Sequence, residues 1–192
     1  MDTYHVMLGR RTIRRFQQQP VNTQTLERCV NAARLAPSAA NLQPLDYILV
    51  TTPQGCRQLF PCLKWAAYLQ PTWTPEESER PTAYIVMLAK NDKPFTLRDS
   101  GLAMAHIVLV AEAEGLGSCI LCNIDAERIK TLLQVPMDLR VDAVIALGQK
   151  AESPVVEDRE DTVKYWRDGK DVLHVPKRPL SSIVHYESYR GK

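Results

Sequence analysis

The strongest constraint in this chain is residues 100–114, a run rich in Ala, Leu and Val that is apolar nearly all the way round a helical wheel. A surface helix carries its apolar residues as a stripe, so a helix lacking a polar face belongs in the interior. The run therefore predicts a central helix, with Gly115 suited to its C-terminal stop. Other segments must pack around it. Residues 46–51 and 83–88 read as strands, the second apolar at every position and hence covered on both faces. Residues 118–122 and 141–147 read as two more, the latter ended by Gly148. Further helices are expected over 3–8, over 24–36 with Asn22 or Thr23 as cap and Pro37 as stop, over 54–67, and over 126–133 with Asp125 as cap. Residues 69–81 read as a proline-interrupted loop carrying Trp73, and the stretch after Gly148 as polar and irregular until 180–184. Strands and helices mixed in this way predict a single α+β domain over 1–192, a sheet packed by several helices.

Bulk properties narrow the function classes. With 45% hydrophobic and 24% charged residues, the chain has ordinary globular composition. A net charge of +2 supplies no field to draw it to nucleic acid or to a membrane surface. No apolar run approaches the ~20 residues that span a bilayer. The opening residues show no basic stretch followed by an apolar one, and the five cysteines are an odd number, which speaks against a disulfide framework. A reducing, cytoplasmic setting is the expectation.

Several constellations carry chemistry. Arg10, Arg11, Arg14 and Arg15 fall within six residues, with a hydroxyl at Thr12. Guanidinium forks and a small donor are what a phosphate group takes, though a solvated basic face has the same composition. Ala36-Pro37-Ser38-Ala39-Ala40-Asn41-Leu42-Gln43-Pro44 sets small residues and two amides between prolines. Small side chains let a flat ligand approach the backbone, and the amides of Asn41 and Gln43 both donate and accept; an ordinary connecting loop is the alternative. Gly115-Leu116-Gly117-Ser118-Cys119 lacks the full dinucleotide fingerprint, since position 120 is Ile. Its glycines either end the helix or admit a ligand. Cys119 and Cys122 lack the further ligands that zinc requires and read as buried strand cysteines, with a redox pair as the alternative. No metal site is expected. His106, on the central helix, reads as a packed, hydrogen-bonded side chain. No Ser/His/Asp spacing and no carboxylate pair stands out.

The order of these pieces along the chain is more specific than any one of them. Arg10-Arg11-Thr12-Ile13-Arg14-Arg15-Phe16 resembles the opening motif of the FMN-dependent nitroreductase family, and the 36–44 segment resembles its second motif. Arg80-Pro81-Thr82-Ala83-Tyr84-Ile85-Val86, Asp99-Ser100-Gly101-Leu102-Ala103, the 115–119 segment and Pro176-Lys177-Arg178-Pro179-Leu180 follow as in that family. The resemblance implies a nitroreductase-like α+β fold: a central, mostly antiparallel sheet flanked by helices, and a C-terminal arm exchanged across a homodimer with FMN at the subunit interface. It implies an FMN-dependent oxidoreductase that passes electrons from NAD(P)H to a nitroaromatic, quinone or similar acceptor in alternating half-reactions. A non-turnover flavin store or sensor, or a dehalogenase or flavin-modifying enzyme on the same fold, are the alternatives. By the same resemblance Arg10, Arg11 and Thr12 hold the phosphate and ribityl end, and Arg14 sits at the flavin pyrimidine edge. Pro37, Ser38, Asn41 and Gln43 reach the flavin, in part from the partner subunit. Cys122 and Asn123 lie on the segment facing the ring, and Lys177, with Arg178 in reserve, is the late phosphate ligand. Many relatives have glycine near Cys122 or Asn123. Trp65, Tyr68 and Trp73 either form an aromatic substrate wall or pack under a loop.

Overall fold

The computed structural model describes residues 2–69, 73–90 and 93–189. The five helices are α1 (Thr3–Gly9), α2 (Thr23–Arg34), α3 (Pro53–Leu59), α4 (Pro94–Ala113) and α5 (Ala126–Leu133). The eight strands are β1 (Phe16–Gln17), β2 (Leu45–Val50), β3 (Ala83–Ala89), β4 (Leu116–Leu121), β5 (Arg140–Lys150), β6 (Val155–Asp158), β7 (Trp166–Arg167) and β8 (Leu173–Lys177).

The main sheet runs β1-β5-β3-β2, with β4 also paired to β5, and every pair in it is antiparallel. All seven residues of β3 are buried, as its continuous apolar run requires. Side chains alternate between the two faces. Tyr84, Val86 and Leu88 pack with α3, α5 and Phe60, while Ala83, Ile85 and Met87 pack with α2 and α4. Helix α4 is the spine of the second layer, burying Ala103, Ile107, Val108 and Ala111. His106 ties it to α2 by donating from Nδ1 to Ala32 O at 2.9 Å. Asn22 caps α2 by accepting from Gln24 N, and Asp125 caps α5 by accepting from Arg128 N. Gly115, at φ +80°, closes α4 in the left-handed conformation that glycine tolerates.

Four expectations are corrected. The helix expected over 54–67 ends at Leu59, because Pro61 cannot donate into a continuing helix; a single 3-10 turn, Phe60–Cys62, replaces it. The central helix starts earlier than its apolar run, at Pro94 in the first turn, where a missing N–H costs nothing. Strand β5 runs through Gly148 to Lys150, because Gly148 faces Phe16, where a Cβ would meet Phe16 Cδ1 at 2.9 Å. The polar stretch after it is not irregular. It forms a second sheet in which β6 pairs β8 in parallel and β7 pairs β8 antiparallel. Of the loop expected over 69–81, residues 70–72 lie outside the described residues.

Candidate functional site

The basic segment is placed by two glycines that pair across β4 and β5, Gly117 and Gly148. A Cβ at Gly117 would stand 2.9 Å from Ile13, and one at Gly148 would strike Phe16. Their absence lets the backbone of 12–16 lie close against the sheet, where Thr12 bridges Ser118 and Ile13 N donates to Ser118 O at 2.9 Å. The glycines of the 115–119 segment are thus used for helix termination and for this crossing. Glu152, its side chain 7% exposed, accepts from Arg14 N at 2.6 Å and Arg15 N at 3.3 Å with Oε1, and holds Arg167 Nη2 at 2.5 Å with Oε2. This buried carboxylate organises the basic segment, and its partners lie too far away in sequence for any local motif to reveal it.

The four arginines differ. Arg15 is spent on Glu79 at 3.2 Å and on Asp171. Arg11 donates to Leu8 O at 2.6 Å and to Arg10 O, so it also caps the C-terminal carbonyls of α1. Burial, then the like charge of Arg10, holds Arg11 below the ordinary guanidinium value, and Glu112 of α4 partly offsets them. The Arg10 side chain has no hydrogen bond or ion pair among the described residues. The Arg14 guanidinium lies 4.7 Å over the Tyr165 ring, and Tyr165 meets Tyr68 edge-on at 5.2 Å. Beside them Tyr68, Trp73, Trp166 and Arg167 line a cavity of about 420 Å³. Trp65 is not part of it; it is buried and stacked on Phe60 at 5.7 Å.

The 36–44 segment is built differently. Ala40, Asn41 and Gln43 have φ of 49°, 54° and 46°, the left-handed region that non-glycine residues seldom enter. Two of the hydrogen bonds that hold this strained turn run from backbone N–H groups to side-chain oxygens. Ala39 N donates to Asp99 Oδ1 at 3.0 Å, and Gln43 N donates to Ser38 Oγ at 3.2 Å. Asp99 is 6% exposed, in the N-terminal half of α4. The turn forms one wall of a cavity of about 250 Å³ shared by Pro37, Ser38, Gln43, Tyr47 and Asp99. Asn41 is exposed beside it.

Within one chain these two groups are not brought together. One is bonded to α4 at Asp99, and the other follows the end of α1, where a Cβ on Gly9 would stand 3.9 Å from Glu112 Oε1, so the helix separates them by about 20 Å along its axis, at ~1.5 Å per residue. None of Arg10, Arg11, Thr12 and Arg14 lines the cavity beside Pro37. Lys177 is exposed on β8, with no ion pair to a described residue, and Arg178 is tied to Ser182 O at 2.8 Å. Cys119 is buried, and burial pushes its thiol up to about 11. Cys122 is exposed, contrary to the reading of both as buried strand cysteines, because β4 stops at Leu121. Asn123 is exposed, and its carbonyl accepts from Lys64 N at 3.1 Å. Among the described residues no group of His, Cys, Asp and Glu is arranged to hold a metal, and no helix is long and apolar enough to cross a membrane.

The sequence profile of the nitroreductase family matches residues 7–149. A protein of Thermus thermophilus named NADH dehydrogenase is 28% identical over 181 residues, covering 79% of this chain and 88% of that one. Two solved structures share the fold. An FMN-dependent nitroreductase from Clostridium difficile R20291 superposes with a TM-score of 0.69 at 23% identity, covering 96% of this chain and 98% of that one. The NADPH:FMN oxidoreductase from Vibrio harveyi, complexed with NAD+, superposes with a TM-score of 0.72 at 21% identity, covering 99% and 79%.

Proposed function

The chain belongs to the nitroreductase family, and from that premise we propose that it is an FMN-dependent oxidoreductase, working as a homodimer, that takes electrons from NAD(P)H and gives them to a small organic acceptor. The observation that carries the reading is the separation of the two donor groups at opposite ends of α4. A two-fold axis that sets two copies of α4 antiparallel would bring the Asp99 end of one beside the Glu112 end of the other. Each site would then take its cations from one chain and its strained turn from the partner. Exposed apolar residues would serve such a contact: Tyr4, Met7 and Leu8 on α1, and Leu97 and Leu102 on α4. Leu180, Ile183 and Val184, exposed after β8, would supply the exchanged arm.

The residues present fit FMN. Arg10 and Arg11 are two half-buried like charges side by side, one without a partner, and a phosphomonoester dianion relieves that repulsion. Arg10, Arg11 and Thr12 would hold the phosphate, with Lys177 as a further cation. Pro37, Ser38, Asn41 and Gln43 would pack on and hydrogen-bond the ring system, with the backbone of Cys122 and Asn123 on its other side. Bound FMN would supply the hydride and electron-transfer chemistry between donor and acceptor. Arg14, held over Tyr165, would place its guanidinium beside the pyrimidine edge. Tyr68 and Trp73, beside Arg14 and Tyr165, would offer flat faces to an aromatic acceptor.

The absorbance spectrum of the purified protein tests this. The reading expects a flavin spectrum that NADPH or NADH bleaches and that a nitroaromatic or quinone restores, with acceptor consumed in step. A colourless protein that FMN does not reconstitute contradicts the cofactor; retained flavin without donor oxidation marks a store or sensor instead.

A further inference from the structure

On the opposite face of the sheet from the Pro37 cavity, we propose a second ligand site, a pocket for a small organic carboxylate between the start of α3 and the 77–82 segment. The cavity measures about 260 Å³, which suits a fragment-sized molecule. Tyr84 lines it from the start of β3. Its side chain is fully buried, and its hydroxyl has no hydrogen-bond partner among the described residues. Arg80 lines it from the loop. Its guanidinium stacks over Phe60 at 4.1 Å, and among the described residues its buried Nε has no hydrogen-bond partner and the side chain forms no ion pair. Arg57 adds an exposed cation at the rim.

Buried donors without acceptors are uncommon and costly, and a half-buried unpaired guanidinium more so. Three carbonyl acceptors of these segments are already engaged. Thr82 O takes the Cys56 thiol at 3.5 Å, Arg80 O takes Gln18 Nε2 at 2.9 Å, and Gln19 O takes the Thr82 hydroxyl at 2.9 Å. The one carboxylate in the lining, Glu77, is exposed and pairs with neither arginine. What the pocket lacks is an acceptor with negative charge, set between the Tyr84 hydroxyl and Arg80. Burial keeps the Tyr84 phenol protonated far above its ordinary range, so it can only donate to an anion. Pro20, Pro53 and Pro81 give the remaining lining flat apolar surface for an organic body. None of the residues assigned to FMN takes part.

The test follows 4-fluorobenzoate and its neutral analogue 4-fluorobenzamide by fluorine NMR against the protein as purified. Saturable binding of the benzoate is expected, about tenfold weaker in Tyr84→Phe and in Arg80→Gln, about tenfold weaker for the benzamide, and unchanged in Arg10→Ala. Tyr84→Phe should melt at the same temperature or higher, since it removes an unpaired hydroxyl. Absence of saturable binding overturns the proposal, as does binding that ignores both variants. Loss of binding in Arg10→Ala would assign the probe to the flavin site, and a marked fall in the Tyr84→Phe melting temperature would show that the hydroxyl has a partner within the protein; either result also overturns it.

Discussion

The two ends of α4 hold their surroundings in contrasting ways. At the Glu112 end no residue of 12–16 has a positive φ. This segment is fixed by the Gly117 and Gly148 gap and by one buried carboxylate, and it presents charge. At the Asp99 end the backbone is strained at three residues and fixed in part by hydrogen bonds to the side chains of Asp99 and Ser38, and it presents small residues and amides. The first end has an unpartnered cation in Arg10. The second has a concave wall, and the arginine there, Arg34, is taken up by Asn31 at 2.8 Å. Each end has what the other lacks, as expected if a complete site needs one end from each of two chains. Strain at the second end also fits a functional turn better than a mere connection.

The largest expected effect breaks the first end. Arg10→Ala with Arg11→Ala should weaken FMN binding by about 100-fold or more, since each charged hydrogen bond is worth ~1.5–3 kcal/mol and ~1.4 kcal/mol is tenfold; flavin fluorescence titration measures it. Next is the carboxylate beneath it. Glu152→Ala leaves Arg167 and two backbone N–H groups without their acceptor, and should lower stability by about 3 kcal/mol in urea unfolding. A loss below about 1 kcal/mol would show that the segment is held by something else.

The strained end is probed by relief. Ala40→Gly removes the left-handed penalty and should raise stability by about 0.5–1 kcal/mol on thermal unfolding, with the FMN contacts kept. The smallest effect lies in the second sheet, at His174. His174 sits 2.5 Å from Glu157 and 3.3 Å from Asp168 and stacks on Trp166 at 4.9 Å. The hydrogen bond to Glu157, then that to Asp168, outweighs desolvation and raises its pKa above the ordinary 6.5. The raised histidine stabilises this sheet fully below its unfolded value, and that contribution is lost as pH rises through the folded value. Asp168, held low first by Val172 N–H, contributes above its unfolded value and loses that as pH falls through its folded one. The sheet is therefore tightest in the mildly acidic range between them. An NMR titration of the His174 ring should show a midpoint above 6.5, and a midpoint at or below it contradicts the assignment.

How much the sequence disclosed follows the range of the forces involved. Helix α5 was legible to the residue, because its cap and its apolar spacing are local. The spine α4 was legible from composition, although its start at Pro94 carried a signal that the apolar run concealed. Pro61 stood in the sequence as the reason α3 is short, but the apolar spacing of 54–67 outweighed it. The end of β5 beyond Gly148 and the second sheet were opaque for a different reason. Gly148 is admissible in a strand only because Phe16 packs over it, and β6 is ordered by parallel pairing with β8, nearly twenty positions onward. The basic segment and the 36–44 turn could be picked out by residue type. Their anchors, Glu152 and Asp99, could not, since each acts on backbone amides remote in sequence.

The division of the site between chains is tested most directly by mixing defects. One chain carries Arg10→Ala with Arg11→Ala, and a differently tagged chain carries Ser38→Trp, which fills the wall at the other end. Each homodimer should lack flavin. The account predicts that the purified heterodimer binds one FMN per pair of chains, because one of its two sites combines the intact arginines of the second chain with the intact turn of the first. A heterodimer as empty as its parents would place both halves of each site in a single chain and contradict it.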